Sequence, residues 1–178
     1  MSGTAAPLAN DGLFCFLDEA HQAVQRQLEV LHALTAAAEA GDLAPAQRAQ
    51  ARELLDWFST EARQHHLDEE KHVFPALLTS KDPEIIQTTH RLIQDHGWLE
   101  ADWLEIEPAL SAAAEGNHWF DPALLRNAVD VFAQLYRDHI VLEESLAYPE
   151  AHDRIDPLHL QAINLEMTQR RALRATHG

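Results

Sequence analysis

The chain has 178 residues, of which 46% are apolar, 6 are glycine and 8 are proline. This is enough to bury one core, so we expect a single domain over residues 1–178. The formal charge of −16 argues against binding to nucleic acid or to an anionic membrane surface, because both attract clusters of Lys and Arg. No basic start followed by an apolar run opens the sequence, and it contains no run of 18 apolar residues. A cytoplasmic protein is therefore expected.

Helix signals follow one another along the chain. Ala, Leu, Glu, Gln and Arg dominate long segments, and this composition favours an all-α fold. Three Asp-Pro pairs each offer an N-cap acceptor before a proline at the first helical position: Asp82-Pro83, Asp121-Pro122 and Asp156-Pro157. Gly41 and Gly116 follow Ala-rich runs and suit helix C-caps. The pattern predicts helices at about residues 12–40, 45–73, 83–115, 122–147 and 157–173.

The connections between these helices are short. Short connections make antiparallel neighbours, so we expect an up-down antiparallel four-helix bundle over about residues 12–150. The segment at about residues 157–173 would then be an additional C-terminal helix. Pro75 and Pro149 are expected to end or kink the second and fourth helices, and Pro108 to bend the third.

Two stretches of the sequence share one motif, QHHLDEEKHVFPA from Gln64 and DHIVLEESLAYPE from Asp138. Each contains a His, a Glu four residues later, a second Glu and an aromatic-Pro pair. The two copies lie 74 positions apart, and their members are His65, Glu69, Glu70 and Pro75, then His139, Glu143, Glu144 and Pro149. Residues four apart share a helix face about 6 Å apart along the axis, so an imidazole and a carboxylate can point at one place. A single pair of this kind is usually solvated, but its recurrence indicates a metal-binding site.

Two lone histidines complete the pattern. His21 lies about 20 residues before the first turn and His65 about 20 after it, while His96 lies about 14 residues after the second turn. His139 lies 17 residues after the start of the fourth helix, so all four histidines share one layer within about a turn. The spacings His21 to His65 and His96 to His139 are 44 and 43 residues, which agree. His90 does not fit this spacing and is expected at the surface or beside the ligands.

Four imidazoles and two carboxylates inside a bundle suit two adjacent metal ions, with each carboxylate bridging both. The predicted ligands are His21, His65, Glu69, His96, His139 and Glu143. A donor set without thiolate favours two iron ions with an oxo or hydroxo bridge, and manganese or zinc are the alternatives. Two histidines per ion leave an open coordination position, which on reduced iron binds dioxygen, nitric oxide or peroxide.

These residues resemble the hemerythrin-like, or HHE cation-binding, domain, a family of non-heme diiron four-helix bundles. The resemblance is carried by Leu17-Asp-Glu-Ala-His21, the QHHLDEEKHVFP motif, Asp95-His96, His139-Ile-Val-Leu-Glu143 and Tyr148-Pro149. The segment from Glu166 to Arg171 is similar to the tail of bacterial members. The resemblance implies that the four histidines are terminal ligands and that Glu69 and Glu143 are the bridging carboxylates.

The ligand assignment leaves alternatives at three positions. His66 and Glu70 also stand four apart, although aligning the two copies on their prolines favours His65 and Glu69 and makes His66 an exposed residue or a neighbour of the ligands. Oxygen-carrying hemerythrins have a second histidine four residues after the third-helix ligand, where this sequence has Glu100. Glu100 is either a ligand or a solvated helix residue.

His72, seven residues after His65, is a further candidate ligand. Phe58 and Phe132 each stand seven residues before a ligand histidine and are expected to cover the site or to fill the core. Trp57, Trp98 and Trp103, at helical spacing, are expected in the core.

Three functions fit such a centre. The first is a carrier, sensor or scavenger of a small diatomic or peroxide ligand, for which a sensor role would need a separate protein partner. The second is an enzyme that reduces peroxide or nitric oxide, or that donates iron for cluster repair. The third is non-catalytic metal storage.

Overall fold

A computed structural model describes residues 12–175, and over that range the chain is helical with no strand. The helices are α1 (Leu13–Ala40), α2 (Pro45–Trp57), α3 (Arg63–His72), α4 (Phe74–Leu78), α5 (Pro83–Glu115), α6 (Pro122–Leu142), α7 (Tyr148–Arg154) and α8 (Pro157–Ala175). π-Helical segments at Phe58–Ala62 and Glu143–Ala147 join α2 to α3 and α6 to α7. The chain thus forms four rods and a C-terminal helix, which confirms the predicted all-α bundle. Within the described part of the chain, no helix is both long and apolar enough to cross a membrane.

The Asp-Pro pairs begin helices, and Gly116 ends one, as the sequence predicts. The carboxylates of Asp82, Asp121 and Asp156 each accept a hydrogen bond of 2.9 Å from the backbone N–H two residues later. Gly116 ends α5 with a φ of +79°, in the left-handed region. A Cβ at this glycine would lie 2.5 Å from the Arg48 guanidinium, so no other residue fits without strain.

The structure confirms the predicted effect of Pro75 and corrects the predicted end of the fourth helix at Pro149. The fourth rod does not end near residue 147 but continues helically past Pro149 to Arg154. Pro149 is the second residue of α7, where its missing N–H has no helical partner to lose. At Pro75 the prediction holds, because α3 ends at His72 and, after a break at Val73, a separate helix α4 begins at Phe74 with Pro75 as its second residue. α4 then extends the second rod to Leu78. α5 runs through Pro108 as one helix.

The apolar core consists of two clusters, one towards each end of the bundle. On every rod the change from one cluster to the other falls at the same height. The residues on either side of the change are Leu17 and Val24 on the first rod, Ala62 and Val73 on the second, Leu92 and Leu99 on the third, and Ile140 and Ala147 on the fourth. Five of the six predicted ligands lie in these four intervals, and the sixth, His139, immediately precedes Ile140. A buried polar layer therefore separates the two apolar clusters.

The C-terminal helix α8 packs back on the bundle beside this layer. Asn164 accepts a hydrogen bond of 2.8 Å from the backbone N–H of Leu13, and Arg170 forms an ion pair of 2.7 Å with Asp68 on α3. Ile163 and Met167 are buried in the cluster nearest the chain termini. α8 thus covers one side of the bundle at the level of α1 and α3.

Candidate metal centre

The structure brings all six predicted donor residues together inside the bundle. Each of the four rods contributes, and no donor side chain is more than 5% exposed. The donors are His21 on α1, His65 and Glu69 on α3, His96 on α5, His139 on α6, and Glu143 at the start of the second π-helical segment. The convergence expected from helix lengths is therefore present.

One half of the cluster is built around the histidines of the first two rods. Glu69 Oε1 lies 3.5 Å from His65 Nε2 and 4.0 Å from His21 Nε2. Glu143 Oε2 lies 3.1 Å from His21 Nε2. Two imidazoles and one oxygen of each carboxylate thus face one point, which we call position A.

The other half is built around the histidines of the last two rods. Glu69 Oε2 lies 3.3 Å from His96 Nε2, and Glu143 Oε1 lies 3.1 Å from His139 Nε2. The two Nε2 atoms of His96 and His139 are 3.1 Å apart. These atoms define position B, and each carboxylate gives one oxygen to each position.

Several of the buried donor atoms face positions A and B but form no hydrogen bonds with one another. Glu69 Oε2 and Glu143 Oε1 accept no hydrogen bond, although the nearest histidine nitrogens are 3.1 to 3.3 Å away. Neither ring nitrogen of His65 has a hydrogen-bond partner in the part of the chain that the structure describes. Buried polar atoms without partners are rare, and a set of them around one point fits a bound cation.

A π-helical turn positions the last of these donors. At Glu143 the backbone N–H reaches the carbonyls of both His139 and Ile140, and the N–H of Tyr148 bonds to the Glu143 carbonyl five residues back. Such wide turns frequently mark functional sites. The first copy of the motif has no matching turn, since its π-helical segment precedes His65. The two copies are therefore alike in sequence but not in backbone geometry.

The second Glu of each motif orients a histidine of the opposite half. Glu144 Oε1 lies 2.9 Å from His21 Nδ1, and Glu70 Oε1 lies 2.8 Å from His96 Nδ1. A carboxylate on the far nitrogen holds the ring orientation of a metal-binding histidine and raises its basicity. The sequence shows that a second Glu recurs in both motifs, but it does not show that this Glu contacts a histidine. For Glu70 this contact replaces the alternative role of ligand.

Asp95 has the corresponding position for the fourth histidine. Its Oδ2 lies 3.6 Å from His139 Nδ1, and the carboxylate is 2% exposed. His65 lacks such a partner among residues 12–175. Three of the four predicted histidine ligands therefore face an acidic group on their outer nitrogen.

Tyr148, the aromatic residue of the second aromatic-Pro pair, is a buried neighbour of position A, a place that the sequence pattern did not assign to it. Its hydroxyl donates a hydrogen bond to Glu69 Oε1 and lies 2.9 Å from His21 Nε2. The ring stacks on His21 at 5.3 Å between centroids. Its counterpart in the first motif is Phe74, which lies 5.3 Å from the ring of His96 and has no hydroxyl. The aromatic-Pro pairs thus make positions A and B chemically different.

His66 lies beside position B. Its ring stacks on His96 at 4.0 Å, and its Nε2 lies 3.1 Å from the Tyr136 hydroxyl. One nitrogen of each of His66, His96 and His139 falls within 4.8 Å of the others. His66 is thus a neighbour of the predicted ligands, one of the two places expected for it.

Other candidates lie outside the cluster. His72 Nε2 contacts Glu166 on α8 at 3.1 Å. Glu100 is exposed and lies 3.5 Å from Arg63. His90 is exposed, so it lies at the surface, which is one of the two locations expected for it.

The aromatic residues divide between core and surface. Phe58 and Phe132 are buried with centroids 5.4 Å apart, in the same cluster as Trp103. Trp57 is partly buried against that cluster. The expectation that Trp98 lies in the core is wrong, because its side chain is 52% exposed. Its helical spacing places it on the outer face of α5.

The charges of the cluster show what holds it together without metal. Burial by itself lowers the pKa of His139, but Glu143 and Asp95 outweigh burial and raise it to about 10. Glu143 and Glu69 likewise raise the pKa values of His21 and His96 against the effect of burial. Burial alone would raise the pKa of Glu69, yet the surrounding histidines lower it well below its ordinary value. Burial lowers the pKa of the fourth histidine, His65. Protons and a metal cation would therefore compete for the donors whose pKa values are raised.

A four-helix bundle with paired, buried His and Glu donors at mid-height is the architecture of a metal-binding helical-bundle protein. The chain belongs to the hemerythrin HHE cation-binding family, because the model of the hemerythrin HHE cation-binding domain matches residues 14–151. The matched range contains all six donors, and α8 lies beyond it. No curated protein and no solved structure was found to match the chain.

Proposed function

We propose that this chain is a non-heme diiron protein that binds dioxygen, nitric oxide or peroxide as a carrier, sensor or scavenger. The observation that carries the proposal is the arrangement of Glu69 and Glu143, each of which turns one oxygen to position A and one to position B. A carboxylate placed in this way can bridge two cations. Membership of the HHE family supports metal binding in general.

In this proposal His21 and His65 hold one ion, His96 and His139 hold the other, and Glu69 and Glu143 are shared. Imidazole and carboxylate donors without thiolate suit iron, with manganese and zinc as competitors. Bound iron supplies an open coordination position and one-electron redox chemistry at each ion. We expect the protein to work in the cytoplasm, and a sensor role would require a separate protein partner.

The protein residues contribute orientation and exclusion of water. Glu70 and Glu144 hold the rings of His96 and His21 through their outer nitrogens. The apolar clusters on both sides of the polar layer exclude water from the donors along the bundle axis. Together these contacts fix the donors before a ligand arrives, so that little reorganisation accompanies binding.

An enzymatic role in peroxide reduction is the second candidate, and Tyr148 is the observation that favours it. Reduction of hydrogen peroxide to two water molecules consumes two protons and two electrons, and the electrons would come from a pair of ferrous ions held by the six donors. The Tyr148 hydroxyl is a buried hydrogen-bond donor in contact with Glu69 and His21, where it would orient a bound peroxide. Burial and the nearby Glu69 raise the pKa of Tyr148 well above its ordinary value, so the two protons would come from water.

The test is metal analysis of the full chain purified from iron-rich medium, followed by stopped-flow absorption of the reduced protein. We expect two irons per chain and a spectral change on adding oxygen or nitric oxide that reverses when the gas is removed. Rapid irreversible oxidation with turnover of added peroxide would favour the enzyme instead. A protein that takes up neither iron nor another divalent metal would contradict both.

A further inference from the structure

A cavity of about 460 Å³ lies between the second rod and α5 and reaches the donor cluster on one side only. Its inner wall is formed by His66 and His96, beside position B. Pockets for small organic molecules span roughly 300 to 1,000 Å³, whereas a diatomic gas needs far less space. The cavity is therefore large enough for an organic molecule.

Four buried aromatic side chains line the cavity, namely those of Phe58, Trp103, Phe132 and Tyr136. Three of these, Phe58, Trp103 and Phe132, are packed together with centroids 4.6 to 6.0 Å apart, so their positions are fixed by one another. The faces and edges of such rings favour another ring at van der Waals distance. The wall therefore suits a planar aromatic molecule better than a flexible chain.

Gly97 borders the same cavity from inside α5. A glycine in a helix interior costs about 1 kcal/mol relative to alanine, so it needs a reason. No close packing requires it here, because a Cβ at this position would meet no atom within 4 Å. Its lack of a side chain keeps the space next to His96 clear.

The rim of the cavity is apolar and acidic. Leu67 and Leu104 line it and are 49% and 60% exposed. Arg63 lies on the rim but pairs with Glu100 at 3.5 Å, and Glu107 adds a further negative charge. An anion would meet a net negative rim, and a cation would lose its water against the apolar wall, so the surroundings together favour an uncharged molecule.

A second cavity, of about 250 Å³, borders His65 and differs in character. It is lined by Asp68 and Arg170, which pair α3 with α8, and by Arg171, which pairs with Glu19 on α1. An apolar ring placed there would have to lie against these charged groups. The aromatic-walled cavity beside position B is therefore the better site for such a molecule.

We propose that the cavity beside position B binds an uncharged aromatic molecule of one or two rings, which enters past Gly97 and lies against His66 and His96. Binding itself depends only on the protein walls. The inference rests on the proposed function in one respect, since a ligand in this place would lie next to the second metal position. The molecule could then control access of small ligands to that position or be itself a substrate.

The experiment is calorimetric titration of the full chain, metal-free and iron-loaded, with indole and phenol, and with benzoate as a ring of similar size that carries a negative charge. We expect saturable binding of one indole or phenol per chain and at least tenfold weaker binding of benzoate, a difference of about 1.4 kcal/mol. Absence of saturable binding by indole and phenol, or equal binding of benzoate, overturns the proposal.

The matched variants are Gly97→Ala and Gly97→Leu. Alanine adds a Cβ in open space and should leave the affinity for indole within about threefold, whereas leucine should fill the entrance and weaken it at least tenfold. Circular dichroism and thermal unfolding show whether Gly97→Leu remains folded, which we expect since both residues are better helix formers than glycine. Unchanged affinity in Gly97→Leu refutes the proposed entrance.

Quenching of tryptophan fluorescence gives a second measurement that does not depend on blocking the entrance with a leucine side chain. Indole itself fluoresces, so phenol is the probe in this assay. Saturable phenol-induced quenching should largely disappear in Trp103→Phe, because Trp103 lines the cavity, and should persist in Trp98→Phe, which is exposed on the outer face. Quenching retained in Trp103→Phe and lost in Trp98→Phe would place the ligand elsewhere and overturn the proposal.

Results for ring binding and for metal binding separate the two proposals. If the metal-free chain binds indole but takes up no iron, the cavity proposal stands and the diiron proposal fails. If two irons bind per chain but no ring compound does, the reverse holds.

Discussion

Replacing Glu69 by glutamine tests the bridging arrangement most directly. Glu69 Oε1 lies 3.5 Å from His65 Nε2 and Oε2 lies 3.3 Å from His96 Nε2, so one carboxylate serves both positions. Glutamine keeps the shape and the burial but exchanges one oxygen for an NH₂ group, which cannot bind a cation. At least one ion should therefore be lost, and iron per chain should fall from two to one or none.

The expected loss of stability follows from mass action. An ion present at a hundred times its Kd stabilises the folded state by about 2.7 kcal/mol. In a domain of 150 to 250 residues, 1 kcal/mol shifts Tm by about 2–4 °C, so one lost ion should lower Tm by about 5–11 °C and two by about twice that. The comparison is made in iron-saturated buffer, and metal-free samples of both proteins give the contribution of the substitution itself.

The assay combines elemental analysis with thermal unfolding followed by circular dichroism. Glu100→Gln is the matched control, because this carboxylate is exposed and pairs with Arg63. It should keep two irons and the Tm of the unaltered chain, which would also resolve the open question of whether Glu100 is a ligand. The reasoning is refuted if Glu69→Gln retains two irons, an unchanged visible spectrum and the same Tm.

The remaining predictions concern Tyr148, His139 and the lone histidines. Tyr148→Phe removes a hydrogen bond to a buried carboxylate, so the metal-free protein should lose about 1.5–3 kcal/mol of unfolding free energy in urea; an unchanged midpoint would show that the hydroxyl contributes nothing. His139, whose pKa is raised to about 10, stabilises the metal-free fold fully below its unfolded-state pKa of about 6.5, and this contribution is lost as pH rises through about 10. Urea unfolding of the metal-free chain should therefore require less denaturant at about pH 10 than at about pH 7, and His139→Gln should reduce that difference. His96→Ala should lower the iron content, whereas His90→Ala, on the exposed face of α5, should leave two irons; equal content in both variants would contradict the layer assignment.

The layout of the bundle could be predicted because its signals are local. Asp-Pro pairs mark helix starts through hydrogen bonds within three residues, and Gly116 marks a helix end through its own φ. Equal distances from the turns then place His21 and His96 level with the two His-Glu motifs. Convergence of the donors required only the rise per residue of a helix.

The geometry around the donors could not be predicted in the same way. The π-helical turn at Glu143 depends on how the fourth rod packs and has no residue signature of its own. The same turn leads into Tyr148, whose hydroxyl contacts Glu69. The sequence shows that Tyr148 has a hydroxyl and that Phe74, at the matching position, has none, but it does not show what the hydroxyl contacts. The contact of Glu144 with His21 joins residues 123 positions apart, so the motif could show that the acidic pair recurs but not what the second Glu touches.

The polar layer has a consequence for how the bundle unfolds. Because it divides the apolar interior into two halves, neither half is joined to the other by continuous side-chain packing along the axis. Cations bound at mid-height would connect all four rods at once and make the two halves melt as a unit. Without the cations, backbone amides at the polar layer should exchange their hydrogens faster than amides within the two apolar clusters. Amide hydrogen exchange would therefore report metal occupancy through the stability of the helices.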